Sequence, residues 1–193
     1  MYTRWLFVPF SSGHDDEVFK MAQVWKSVED WKGKRTVIVR YANNRDNAGC
    51  LSKVAADDKL YILAHGNVGC VKVANKFSDA TEELSVNDLC ERIQESGLPT
   101  EYRIVVNLFA CGAEGRAEVI AGCGSGAVFA DDFARALRER YYYFDAEIYG
   151  YKESVTSPEQ NDDLGYKGKK LAVGVRNEVL GRASEFKQRF RGY

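Results

Sequence analysis

A histidine and a cysteine each follow directly on an apolar segment of this sequence. Residues 60–64 (LYILA) precede His65, and residues 104–110 (IVVNLFA) precede Cys111. The chain contains only two histidines, so finding one of them at such a position is informative. An imidazole beside a thiol raises the thiolate fraction, and a thiolate attacks acyl carbon atoms. These residue types therefore indicate nucleophilic catalysis by a cysteine.

A glycine follows each of these two side chains. Gly66 comes after His65, and Gly112 comes after Cys111. Because glycine has no Cβ, Gly66 allows the backbone to approach a ligand closely. Backbone N–H groups near a reacting carbonyl stabilise the negative charge that develops on its oxygen. We therefore predict an oxyanion hole formed by the N–H groups of Gly66 and Cys111.

Alternating apolar strands and amphipathic helices must position these residues. Strands are predicted over residues 5–10, 36–41, 60–64, 104–110, 146–151 and 171–175, and helices over 14–31, 85–96, 127–142 and 178–191. A short hairpin arm is expected at residues 71–73 and a polar loop at 154–168. The order predicts one α/β domain over residues 1–193, a three-layer sandwich with a mostly parallel central sheet of about six strands. The carboxyl ends of parallel strands face a common crevice, so we expect His65 and Cys111 to meet there.

Composition and charge exclude several classes of function. The chain has 27 basic and 28 acidic residues and a formal net charge of −1 at pH 7, which argues against a nucleic-acid partner. No segment approaches the roughly 18 apolar residues of a membrane-spanning helix. The first ten residues lack the apolar core and cleavage site of a signal peptide. We expect no membrane insertion, and residence in the cytoplasm or export by a route that needs no conventional signal peptide.

Cysteine usage is consistent with that compartment. The chain has 5 cysteines, an odd number spread along its length, which argues against a disulfide scaffold and for a reducing environment. The sequence lacks a Cys-x-x-Cys pair, and two histidines are few for a structural zinc site. We therefore expect no metal and no cofactor. The sequence leaves the oligomeric state open.

The two strand endings, taken in this order, resemble the signature of the clan CD cysteine peptidases, which include caspases, metacaspases, legumains, gingipains and clostripain. The local similarity covers residues 61–66 and 105–112, and the order of elements from residue 5 to 151 resembles the caspase–haemoglobinase fold. The resemblance implies a cysteine endopeptidase that acts on a protein or peptide through a thioester. Cys111 would be the nucleophile, and His65 would be the acid–base that protonates the leaving amine. Most such enzymes need no third catalytic carboxylate.

The resemblance also implies where substrate binds. The residues implied to line the pocket are Ser11 and Ser12 after the first strand, and Glu153 and Ser154 after the fifth. Several family members that cut after basic residues carry an acidic residue two positions before the cysteine. Here that position is Phe109, so a basic preference set in this way is not expected. Glu153, Asp131 and Asp132 are the other acidic candidates for selecting Lys or Arg, although charged residues more often simply cover a solvated surface.

A glycine-rich segment is the main alternative to His65 and Cys111 as a functional site. Residues 122–127 (GCGSGA) precede a predicted helix, and such a turn can cradle a phosphate or an adenosyl cofactor. Three features argue against such a cofactor site. The apolar stretch before the segment is short, no acidic residue ends that stretch, and too few residues follow to form the rest of a doubly wound sheet. Ser125 does not complete a Gly-x-Ser-x-Gly elbow, because Cys123 occupies the first glycine position.

Two alternatives to the peptidase hypothesis remain open. One is a non-catalytic caspase-like module that acts by protein interaction, since a fold does not guarantee an activity. The other is a cysteine-dependent hydrolase or transferase that acts on a non-peptide acyl group or amide.

Overall fold

Strands and helices alternate along the chain. The computed structural model describes residues 2–11, 16–41, 49–66, 72–76, 81–111, 127–151, 153–156, 158, 168–174 and 178–191. The elements are β1 (Arg4–Val8), α1 (Glu17–Trp31), β2 (Thr36–Arg40), β3 (Lys59–His65), β4 (Lys72–Lys76), β5 (Thr81–Ser85), α2 (Val86–Glu95), β6 (Val105–Cys111), α3 (Ala127–Glu139), β7 (Glu147–Tyr151), β8 (Ser154–Val155), β9 (Leu171–Val173), β10 (Val179–Arg182) and β11 (Lys187–Phe190). The helix predicted for residues 85–96 begins with a capping box, in which Ser85 and Asp88 bind each other's backbone N–H groups.

The central sheet is mixed and mostly parallel. Within the described residues it has eight strands, with a main path β11-β7-β6-β3-β1-β2 and the hairpin β4–β5 attached to β3. Strands β2, β1, β3, β6 and β7 run parallel to one another, and β11 and the hairpin pair antiparallel. The predicted α/β class is confirmed, but the expected number of about six strands is too low. The hairpin is the reason, because its second strand (TEELS) is polar and carries no apolar alternation.

The C-terminal part of the chain departs most from the sequence-based expectation. The helix predicted for residues 178–191 is wrong: these residues form β10, a short 3₁₀ turn and β11. Gly181 has a φ of 149°, a conformation that does not occur inside a helix. Strands β8, β9 and β10 form a separate three-stranded sheet, so residues 154–155 are strand rather than loop, and β9 does not join the central sheet. One edge of β11 instead pairs with β7 in the central sheet.

The strand order reverses next to β1. The chain passes from β1 through α1 to β2 on one side, and then to β3 on the other side of β1. Connections between parallel strands are right-handed. A helix in a connection that moves towards β2 and a helix in a connection that moves away from it therefore cover opposite faces of the sheet. α1 packs on β1, β2 and β3, whereas α2 and α3 pack against each other. A crevice at the carboxyl edge of such a reversal is where ligands bind in open α/β sheets.

An aromatic cluster fixes α1 on one face of the sheet. The buried Trp25 ring of α1 lies 4.9 Å from the Tyr61 ring of β3 and 4.8 Å from the Phe109 ring of β6, between centroids. Side-chain positions alternate along a strand, so positions 61, 63 and 65 of β3 and 107, 109 and 111 of β6 share a face. The face covered by α1 is therefore the one that carries positions 65 and 111.

Candidate active site

His65 and Cys111 are paired across neighbouring parallel strands. In the β3–β6 ladder, His65 is the register partner of Cys111, and each is the last residue of its strand. Neighbouring strands lie about 4.8 Å apart, so the two backbones are adjacent at the carboxyl edge of the sheet. Gly66 follows immediately. The structure thus brings together the two strand endings that the sequence singled out, while the side chain of Cys111 lies outside the described part.

A carboxylate that the sequence analysis had not selected contacts the imidazole. Nε2 of His65 lies 3.1 Å from Oε2 of Glu17, and the two side chains are 16% and 60% exposed. Glu17 is the first residue of α1, at the helix end where a negative charge is stabilised. A carboxylate against an imidazole orients the ring and stabilises its protonated form. The available signal was the acidic start of the predicted helix, but nothing in the sequence connected that start to His65.

The first turn of α1 is held by an ion pair between a buried carboxylate and a half-buried guanidinium. Asp16 is fully buried, caps the helix by accepting from the N–H of Phe19, and pairs with the guanidinium of Arg40 on β2. The guanidinium also lies over the Phe19 ring, 5.0 Å from its centroid. These contacts fix where α1 begins relative to β2, and therefore where Glu17 stands.

Ser11 lies at the carboxyl end of β1, where the substrate pocket was expected. Its N–H and its hydroxyl both donate to the carboxylate of Glu82 on β5, at 3.2 Å each. Arg92 of α2 binds the same carboxylate at 2.6 Å and donates to the carbonyl of Pro9 at 2.7 Å. Glu82 had not been selected from the sequence because its strand had not been predicted. The segment after β1 is thereby tied to both β5 and α2.

The other residues that were expected to line the substrate pocket lie in different parts of the fold. Glu153 precedes β8, and Ser154 pairs through its backbone with Val173 in the three-stranded sheet. β8 packs against β6, so this segment approaches the strand that carries Cys111. Ser12, the side chain of Ser154 and the glycine-rich segment 122–126 lie outside the described residues. Asp132 forms an exposed ion pair with Arg135 one turn along α3, as charged groups on a solvated helix surface do.

Two other thiols, the buried Cys90 and the half-buried Cys50, are not activated. Burial raises the pKa of Cys90 to about 12 and also raises the pKa of Cys50. A thiol with a raised pKa holds little thiolate at neutral pH and is a poor nucleophile. Cys70 and Cys123 lie outside the described residues.

The side chain of Lys170 lies among the aromatic rings that pack between α1 and the central sheet. Nζ of Lys170 lies 4.7 Å, 4.4 Å and 5.4 Å from the ring centroids of Trp25, Tyr61 and Phe109. The pKa of Lys170 is lowered to about 7, mainly by burial and secondly by the positive charge of Lys187. The ring faces favour the ammonium form and oppose this effect. Lys170 ties the three-stranded sheet to the same face that carries His65.

In the described parts of the chain, no group of three or more His, Cys, Asp or Glu side chains is placed to hold a metal ion. None of the helices, as far as the structure describes them, is long and apolar enough to cross a membrane.

The chain was also compared with known proteins. No family model matches its sequence, and no curated protein matches it significantly.

Proposed function

We propose that this protein is a cysteine endopeptidase with a caspase-like fold, in which Cys111 is the nucleophile and His65 is the acid–base. The observation that carries the proposal is the register pair of these two residues at the carboxyl ends of neighbouring parallel strands. The strand order reverses beside them, at the place where open α/β sheets bind ligands. The clan CD resemblance of the two strand endings supports the same assignment.

The proposed reaction has two steps. The thiolate of Cys111 attacks the carbonyl carbon of the scissile amide, and the backbone N–H groups of Gly66 and Cys111 bind the resulting oxyanion. The C–N bond then breaks as the protonated His65 gives its proton to the leaving amine, which leaves a thioester on Cys111. Water, deprotonated by the now neutral His65, attacks the thioester. The C–S bond breaks, the acid product leaves, and the thiolate returns.

Glu17 gives this site a third member. The clan CD resemblance implies a dyad, whereas here a carboxylate touches the imidazole at 3.1 Å. A carboxylate in this position holds the ring in one orientation and favours the imidazolium that the first step consumes. We assign Glu17 a positioning role rather than a part in bond making.

The substrate pocket has no acidic group two residues before Cys111. Phe109 is fully buried, and its ring packs on Trp25 and, at 5.6 Å between centroids, on Tyr151. This position therefore belongs to the core and does not select a basic side chain. Ser11, held by Glu82, and the segment at Glu153 and Ser154 are the proposed lining.

Labelling with a thiol-directed acyl probe tests the proposal. A peptidyl acyloxymethyl ketone should alkylate Cys111 in the native protein, and both C111A and H65A should abolish this labelling. C90A is the matched control, because it removes a buried thiol whose pKa is raised. Unchanged labelling in C111A or H65A would refute the dyad.

A peptide library then identifies the substrate class. Cleavage of amide bonds by the native protein, absent from C111A, is the expected result. Labelling of Cys111 without cleavage of any peptide would replace the proposal with a hydrolase or transferase of non-peptide acyl groups. Absence of both labelling and cleavage would favour the non-catalytic module.

A further inference from the structure

Asn75 is a buried polar residue next to the candidate site. It lies on β4, one residue after Ala74, which is the register partner of His65 in the antiparallel β3–β4 pair. The side chain of Asn75 is fully buried. A buried amide needs hydrogen-bond partners, and the identity of those partners tells what the residue holds in place.

The amide of Asn75 binds the first turn of α1. Its Oδ1 accepts from the N–H of Val18 at 3.4 Å, across 57 residues of sequence. Val18 follows Glu17 in that first turn, where helix N–H groups have no partner within the helix. Asn75 therefore supplies, from a strand, an acceptor that the helix start requires.

The same amide leaves one of its own groups unsatisfied. Within the described part of the chain, Nδ2 of Asn75 is buried and has no hydrogen-bond partner. An unsatisfied buried donor costs free energy. An apolar residue of similar volume would avoid that cost but would lose the bond to α1. The choice of asparagine is thus explained by the bond that it makes to the helix.

These contacts connect β3, β4 and α1 to one another around the candidate site. β4 is paired to β3 at His65, Asn75 joins β4 to α1, and Glu17 of α1 returns to the His65 ring. We infer that Asn75 is a positioning residue of the proposed dyad, which sets the first turn of α1 against β3 so that Glu17 meets His65. This inference rests on the proposed function. The pair of Asp16 with Arg40 holds the same turn from β2, so losing Asn75 should shift the turn without unfolding the helix.

The test compares four variants with the native protein. N75L removes the acceptor at similar volume, and N75D keeps an oxygen for the Val18 N–H. E17Q removes the charge that contacts His65, and the fourth variant combines N75L with E17Q. N107L is the matched control, because Asn107 is also a fully buried asparagine but lies on β6 and donates to the carbonyl of Leu60 at 3.3 Å.

Two measurements are made on each variant. The first is the rate of Cys111 labelling by the acyl probe. The second is the ¹H–¹⁵N spectrum of the His65 ring, which is readily assigned because the chain has only 2 histidines. N75L should slow labelling by roughly 10- to 100-fold, as loss of a group that positions catalytic side chains does. It should also shift the ring signals in the same direction as E17Q.

The combined variant decides the mechanism. If Asn75 acts through Glu17, N75L should cause no further loss in the E17Q background, and N75D should restore most of the labelling rate. Additive losses, failure of N75D to rescue, or equal effects of N107L would each overturn the inference. Labelling that is insensitive to H65A would instead refute the proposed function, and the His65 ring spectrum would still decide whether Asn75 positions the ring.

Discussion

Nε2 of His65, at the end of β3, lies 3.1 Å from Oε2 of Glu17, at the start of α1. The contact joins the carboxyl end of a parallel strand to the amino end of a helix. In the proposed mechanism, the carboxylate of Glu17 orients the imidazole. The sheet and the helix thus act together on one ring.

Replacing Glu17 by Gln should slow labelling of Cys111 by the acyl probe by roughly tenfold or more, because the imidazolium loses its carboxylate partner. The free energy of unfolding should change by less than about 1 kcal/mol, since the side chain is 60% exposed at the helix start. E91Q, an exposed change on α2, is the control. Equal labelling rates for the native protein and E17Q would show that the contact has no role in the chemistry.

The cysteines should differ strongly in their reactivity. Cys90 should resist iodoacetamide at neutral pH until the protein unfolds, because burial raises the pKa of its thiol to about 12. Cys111 should react first, since the proposed site maintains its thiolate. Mass spectrometry of the peptides after timed alkylation measures the order. Alkylation of Cys90 before Cys111 would contradict both assignments.

The stability of the protein should depend on pH through Lys170. The pKa of Lys170 is about 7 in the folded protein, below its ordinary value of 10.5. Between pH 7 and pH 10.5 the folded state therefore binds fewer protons than the unfolded state. The free energy of unfolding should rise as the pH increases from about 7 towards 10.5. Below pH 7 the cost of burying the ammonium is at its full size. Lys187, Glu29, Arg4 and Lys59 are the charged groups that act on it.

K170M should remove that dependence. We expect the variant to be more stable than the native protein at pH 6 by roughly 1–4 kcal/mol, since one pKa unit corresponds to about 1.4 kcal/mol and the rings partly offset the shift. The advantage should shrink by pH 9. Denaturant unfolding at both values measures it, with K169M, at an exposed neighbouring position, as the control. Parallel pH profiles for K170M and the native protein would disprove the expectation.

The capping box of α2 should contribute measurably to stability. S85A removes the hydroxyl that accepts from the N–H of Asp88 and should lower the free energy of unfolding by about 1 kcal/mol. S27A is a suitable control, because Ser27 is an exposed serine within α1 that caps no helix and donates to the carbonyl of Val24 in the preceding turn. A comparison of denaturant midpoints checks this prediction. Equal midpoints for S85A and S27A would mean that the cap is dispensable.

Local patterns in the sequence predict the parts of the fold that rest on local physics. The apolar runs before His65 and Cys111 became β3 and β6, and the periodic segments became α1, α2 and α3, because burial of one face imposes a period on the sequence. Strands β5, β8, β10 and β11 were not predicted from the sequence. These segments form strands because each pairs with the edge of a neighbouring strand, and that edge is not visible in the segment itself.

The apolar segments before His65 and Cys111 can be recognised locally, and they mark these two residues as candidates for catalysis. The folded arrangement adds that the two residues are register partners, that Glu17 meets the imidazole, and that Asn75 holds the helix that carries Glu17. The difference comes from separation along the chain. These contacts join segments far apart in sequence, and their geometry follows from how α1 and the β4–β5 hairpin dock on the sheet, which no local period records.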